Sequence, residues 1–153
     1  MSTETLHFKI GLSGTFHSKR PAYSVSISGK NYVSGSVEAA SDEMFYVEFD
    51  AEFVEDQEYV LEIRLGNKES SDTIQDDDGN IVNDLLLNIK SIEIDDIDIG
   101  ALIWSKSTIY PDKPQKFNGA VIQELTNCVN LGWNGTYTIK FTSPLYIWLL
   151  ENI

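Results

Sequence analysis

The chain is poor in the residues that cross-link a fold, span a membrane or carry out catalysis. It holds one cysteine, Cys128, and two histidines, His7 and His17, in 153 residues. A single thiol excludes a disulfide framework and any cysteine-based zinc or iron–sulfur centre. No stretch approaches the roughly 18 consecutive apolar residues that a membrane helix needs, so no membrane insertion is expected. The amino terminus, Met1 to His7, has no basic region followed by an apolar run. No secretory signal is therefore expected, and the chain is expected to be intracellular when made. There is no glycine-rich phosphate cradle, no nucleophile-elbow pattern, and little sign of amphipathic helical stripes.

Basic residues are also scarce. Against 24 acidic side chains stand 11 Lys and Arg, a net charge of −13. The imbalance is concentrated between Glu38 and Asp98, which contain 20 acids and only three bases, Arg64, Lys68 and Lys90. Nucleic-acid binding requires clustered cations to neutralise phosphates, and an anionic membrane surface asks for the same sign. Neither is expected as a partner. Divalent cations, basic proteins or plain solvation remain compatible with such a surface.

What is present is alternation. Leu6, Phe8, Ile10 and Leu12 alternate with Thr5, His7, Lys9 and Gly11; Tyr23, Val25 and Ile27 alternate with serines. Phe45, Val47, Phe49, Ala51 and Phe53 oppose Tyr46, Glu48, Asp50 and Glu52, and Tyr59, Leu61, Ile63 and Leu65 follow after an acidic turn. The last two segments read as an antiparallel pair, with Glu48 or Asp50 near Arg64. From Leu85 to Ile99 the apolar parity switches, which calls for a bulge or bend and marks a place where a strand passes between sheets. Tyr137, Ile139 and Phe141 form a late strand. The tail after Pro144, Leu145 to Leu150, is apolar on both faces and reads as a hydrophobic carboxy-terminal strand or docking segment over 144–153. Short strands separated by turns, with 42% apolar residues, no repeat and no linker, predict one all-β domain over 1–153. The expected fold class is an antiparallel β-sandwich of jelly-roll type.

Candidate chemistry is thin. His17 beside Ser18 lacks a third orienting group, and among 24 acids no carboxylate pair is singled out, so no enzyme is expected. Asp76-Asp77-Asp78-Gly79-Asn80, continuing to Asn83-Asp84, offers oxygen ligands at Asp76, Asp78, Asn80 and Asp84 for calcium. The EF-hand spacing fails, because Ile81 falls where its glycine belongs and Leu87 where its glutamate belongs. Asp-Gly is equally a preferred hairpin turn. Trp104, Tyr110 and Trp133, flanked by Ser, Asn and Asp in loop-like segments, could stack on the C–H faces of sugar rings. Core burial with a hydrogen-bonded polar tip is the alternative for each.

Leu12-Ser13-Gly14-Thr15, and Asn83-Asp84 ahead of a strand ending Ile92-Glu93-Ile94-Asp95, resemble the calcium-dependent xylan-binding β-sandwich modules over Phe8 to Ile99. The resemblance implies a sandwich in which the Asn-Asp pair introduces a loop holding calcium, the ion in turn receiving sugar hydroxyls. Here Leu85 follows Asp84 directly, where that family places the loop. The chain, including Leu85-Leu86-Leu87-Asn88-Ile89 and Trp104-Ser105-Lys106-Ser107, also resembles small uncharacterised proteins of large tailed phages of marine bacteria. That implies a capsid decoration or a tail or fibre component, with a virion as the chain's alternative destination. The expectation is therefore a non-catalytic glycan-binding module, with calcium as the only candidate cofactor. The alternative is a virion structural protein that assembles with itself or its neighbours through the carboxy-terminal tail.

Overall fold

The computed structural model describes residues 2–153. Its first half runs β1 (Thr3–Thr15), β2 (Ala22–Ile27), β3 (Lys30–Ser36), β4 (Phe45–Val54), β5 (Gln57–Leu65), a 3₁₀ turn (Ser70–Asp72), β6 (Ile74–Gln75) and β7 (Ile81–Asn83). Then come β8 (Leu86–Ile94), β9 (Ile97–Asp98), α1 (Leu102–Ser105), β10 (Ser107–Pro111), β11 (Gln115–Phe117) and β12 (Ala120–Ile122). The last elements are β13 (Leu125–Thr126), β14 (Asn130–Leu131), β15 (Gly135–Ser143) and α2 (Leu145–Asn152). Two antiparallel sheets face each other. One has the order β14-β8-β1-β4 with β9 on β8; the other has the order β13-β10-β15-β5-β2-β3.

The alternation in the sequence is what lines the space between them. Leu6, Phe8, Ile10 and Leu12 of β1 are buried, as are Leu61, Ile63 and Leu65 of β5 and Tyr137, Ile139 and Phe141 of β15. Phe8 of one sheet lies 6.2 Å from Phe141 of the other, and Phe141 meets Phe53 edge-on at 5.4 Å. Such ring pairs add to the burial of large apolar area. The layered antiparallel sandwich expected from the sequence is what the chain forms.

Four local expectations are corrected. First, β4 and β5 do not pair. β4 joins β1, with Phe8 opposite Phe49, while β5 lies between β15 and β2 in the other sheet. Glu55 and Asp56 form an arch between the sheets: Glu55 donates its N–H to Ser2 O (3.0 Å) and Asp56 donates to Ser143 O (2.6 Å). Asp56 takes the left-handed conformation the sharp corner requires, at φ 66°. Apolar faces of adjacent segments can meet across the core as well as side by side, and periodicity does not distinguish the two. Phe53 and Tyr59 meet across the core, 4.7 Å apart.

Second, Arg64 is not partnered by Glu48 or Asp50. It makes a bidentate pair with Asp112, at 2.6 and 2.5 Å, because its strand belongs to the other sheet. Third, the parity switch in β8 is a bulge and not a crossing. Ser91 faces Gly11 and Ile89 faces Leu12, so Lys90 is the extra residue, and the strand stays in its sheet. The crossing comes later, through α1.

Fourth, the tail is a helix rather than a strand. Leu145, Trp148 and Leu149 are buried, at the i, i+3, i+4 spacing of one helical face. Trp148 packs edge-on against Phe141, and Leu145 N–H donates to the Glu4 carboxylate at 2.9 Å, satisfying a free donor of the first turn. The opposite side, with Tyr146, Ile147 and Leu150, is exposed, as is Ile153 beyond the helix end.

Candidate functional site

One end of the sandwich holds a cleft of about 550 Å³. Its walls come from the loop after β5 (Lys68 to Ser70), the end of the β6–β7 ribbon (Thr73, Ile81, Asp84), the segment around β11 (Lys113, Gln115) and the turn between β14 and β15 (Gly132 to Asn134). Three connections meet there because β5, β15 and β8 all have an end on this side. Leu65 pairs with Gly135, the first residue of β15, and Leu87 pairs with Leu131 just ahead of the turn. Gly135 is required by packing. A Cβ there would stand 2.7 Å from Tyr110 O and 2.9 Å from Pro111 Cα.

The walls are braced by side chains that replace missing ladder bonds. Lys68 N–H donates to Asn134 Oδ1, and Asn134 Nδ2 donates back to Lys68 O, both at 2.8 Å. Asn67 accepts from Ala22 N–H (2.9 Å) and donates to Arg20 O (2.9 Å). Lys19 Nζ reaches Asn67 O and Asp72, each at 2.6 Å, and this holds the Asp72 carboxyl below its ordinary range. The loop after β5 is therefore fixed by partners from two other segments, residues 19–22 and the turn at Asn134.

Lys68 and Asp84 form the charged centre of the cleft. Lys68 Nζ donates to Asp84 Oδ1 at 2.7 Å and to Gly132 O at 2.6 Å. Asp84 Oδ1 also accepts from Thr73 Oγ1 and from Leu85 N–H, both at 2.8 Å. The side chains are only 12% and 21% exposed. Burial alone would raise the Asp84 carboxyl; the bonds from Lys68, Thr73 and Leu85 outweigh it and hold the group below its ordinary value. Asp84 therefore stands in the cleft as a carboxylate paired to an ammonium. It also borders a second cleft, of about 330 Å³, whose far wall is Thr15, Phe16, Ser41 and Asp42.

The residues singled out from the sequence are dispersed by the fold. Trp133 lies in the cleft wall, half-buried in its turn. Trp104 sits on α1, 51% exposed, and Tyr110 points outward from β10, 45% exposed, so neither is on a loop. Ser107, at the α1 end of β10, pairs with Ile139, and Pro111, beside Tyr110, pairs with Gly135. Those two points lie about 13 Å apart along the strand at about 3.3 Å per residue. Trp104 is therefore set apart from Tyr110 and from the turn that carries Trp133.

The proposed calcium ligands are divided as well. Asp76 organises the tip of the β6–β7 ribbon, its Oδ1 accepting from Asp78 N–H and Asn80 N–H, both at 2.9 Å. These bonds hold the Asp76 carboxyl below its ordinary value. Asp84 lies beyond the other end of that ribbon, where Ile74 pairs with Asn83. Among the described residues, no three His, Cys, Asp or Glu side chains converge as a metal cage. Asp76 uses Oδ1 to close its turn, and Asp84 Oδ1 is taken up by an ammonium. Calcium asks for six to eight oxygens around one point, and Asp76 and Asp84, beyond opposite ends of the ribbon, do not offer theirs to the same point.

A second charged cluster lies on the outer face of β1 and β4. His7 donates from Nδ1 to Asp50 Oδ1 (2.7 Å) and from Nε2 to Glu48 Oε1 (3.0 Å), and its backbone N–H donates to Asp95 Oδ1 (2.7 Å). Both ring partners are acceptors, so the doubly protonated ring fits. The bonds to Glu48 and Asp50 raise its pKa above the ordinary 6.5.

Lys68, Thr73, Ile81, Lys113 and Gln115 are cleft residues that the sequence reading did not select. For Lys68 a signal existed: it is one of three bases among 20 acids between Glu38 and Asp98. A base that isolated is a candidate partner for a buried carboxylate. The others carry no such mark.

No protein-family model matches the chain, and no curated protein matches it in sequence. Solved structures do match in fold. One is the carbohydrate-binding module vCBM60 in complex with galactobiose, at 11% identity and TM-score 0.50, with 87% of this chain and 96% of that one covered. Another is a selenomethionine form of vCBM60, described as part of a circular-permutation link between two families of calcium-dependent carbohydrate-binding modules. It matches at 10% identity and TM-score 0.52, over 88% of this chain and 89% of that one. The chain thus shares the β-sandwich architecture of these carbohydrate-binding modules.

Proposed function

We propose that this protein is a non-catalytic glycan-binding module whose site is the cleft between Trp133 and Asp84. The observation that carries this reading is the placing of an aromatic ring, a carboxylate–ammonium pair and the amide of Gln115 on the walls of one concavity. Sugars are recognised by that combination: a π-face for C–H surfaces and fixed donors and acceptors for hydroxyls. The architecture shared with vCBM60 supports the same reading at the level of fold. Trp133 is the stacking residue, and Trp104, beyond the other end of β10, lies apart from it.

A glycan array tests this directly. Binding of one glycan class is expected, with Trp133→Ala reducing it about tenfold or more, the loss of one buried aromatic contact. An array silent for the unaltered chain, or binding indifferent to Trp133→Ala, overturns the proposal. A second reading, a structural protein such as a virion subunit working through protein contacts, is favoured by one feature. Tyr146, Ile147 and Leu150 of α2 present an exposed apolar side next to Ile153.

A further inference from the structure

One of the fold neighbours is described with calcium-dependent modules, yet Asp84 Oδ1 and Gly132 O here already face a cation, the Lys68 ammonium. We infer that the Lys68 ammonium is a built-in substitute for calcium, and that the Lys68–Asp84 pair reads a vicinal diol of the bound sugar without any metal. This rests on the glycan cleft proposed above and goes further, naming the group recognised and the means.

The atom inventory supports it. Lys68 Nζ carries three protons; two are given to Asp84 Oδ1 and Gly132 O, leaving one for the cleft that Lys68 lines. Asp84 Oδ1 accepts from Lys68, Thr73 and Leu85. Asp84 Oδ2 takes no hydrogen bond from the described residues. No buried side-chain oxygen or nitrogen among them lacks a partner, so Oδ2 is reached by solvent, and Asp84 lines this cleft and the second one beside it. One ion pair on the cleft wall therefore carries both a free N–H and a free carboxylate oxygen. A vicinal diol presents the complement: one hydroxyl oxygen accepts from the ammonium while the neighbouring hydroxyl donates to the carboxylate. A bound calcium ion does the equivalent by taking both hydroxyl oxygens as ligands. The ammonium is held by Gly132 O and Asp84 before any ligand arrives, so little side-chain freedom is lost on binding.

Calorimetry with galactobiose and with soluble xylan, each in millimolar calcium and in EDTA, tests the inference on the unaltered chain. Affinity is expected to be the same in both buffers within about twofold, and Lys68→Met is expected to weaken it about tenfold or more, the loss of a charge-assisted bond. Thermal melting of the unaltered chain gives a readout free of sugar and of variants, and it is expected to be the same in calcium and EDTA. Sugar binding that requires calcium, a melting temperature raised by calcium, or full affinity in a folded Lys68→Met overturns the inference and leaves the cleft reading standing. Absence of binding to either sugar in both buffers, together with a silent glycan array, overturns the cleft reading and the inference with it.

Discussion

The His7 cluster and the Lys68–Asp84 pair use the same chemistry, a cationic nitrogen between oxygen acceptors, and differ in surroundings. His7, Glu48 and Asp50 have side chains 43%, 55% and 68% exposed on an open sheet face. Lys68 and Asp84 are largely covered and share a concavity with Trp133. Water and salt screen the first and reach the second poorly. Exposure thus decides which carboxylate is part of a solvated surface and which is a fixed element of a cleft wall. The acidic run of the sequence contains both, and charge density alone ranks them equally.

Removing one partner is expected to separate the two most sharply. Asp84→Ala takes the shared acceptor from Lys68, Thr73 and Leu85 N–H and leaves an ammonium partly buried. A loss of about 2–3 kcal/mol is expected in urea unfolding, the usual cost of stranding such donors. A change no larger than that of an ordinary surface substitution would place Asp84 in the same class as Asp50.

The pH dependence sharpens the comparison from the other side. The folded-state pKa of His7 is raised, so its contribution to stability is complete below its ordinary value of about 6.5 and is lost as pH rises through the raised value. His7→Gln is expected to lower the melting temperature in mildly acidic buffer and to leave it unchanged in alkaline buffer. Asp84 runs the opposite way. Its folded pKa is depressed, so its contribution is present above the ordinary 3.8 and fades as pH falls through the depressed value. Melting curves of the two variants from acid to alkali should therefore diverge. Parallel curves would contradict the assigned hydrogen bonds.

Salt gives a smaller effect. Raising ionic strength towards molar is expected to erase the difference between His7→Gln and the unaltered chain in acidic buffer, while the Asp84→Ala difference largely survives. The smallest effect concerns α2. Its exposed side makes few demands on the monomer, so Leu150→Glu is expected to leave the melting temperature nearly unchanged. Light scattering then decides the second functional reading. An oligomer that this substitution converts to a monomer supports docking through α2, and an unaltered chain already monomeric argues against self-association there.

Much of the sandwich was legible because burial in a strand has period two. Leu6 to Leu12, Leu61 to Leu65 and Tyr137 to Phe141 announce their inward faces in one dimension. An irregularity in β8 was legible for the same reason, since a parity change needs a bulge or a bend, but the passage between sheets read there falls later, at α1. The helix α2 was misread because a short run that is apolar at nearly every position fits both periods. Docking of Leu145, Trp148 and Leu149 against the end of β15 selected the helical one. The site was less legible still. Trp133 and Asp84 were candidates for separate roles, and nothing local joins residues 49 positions apart.

Strand faces, the acidic bias and the shortage of nucleophiles belong to the chain itself, because they depend on residue identity and on spacing over a few positions. Which sheet each strand joins, which of many carboxylates receives a lysine, and which tryptophan borders a cleft were decided only by tertiary packing. The reason is physical: those outcomes depend on distances set by the meeting of β5, β8 and β15, and on the water that packing excludes there.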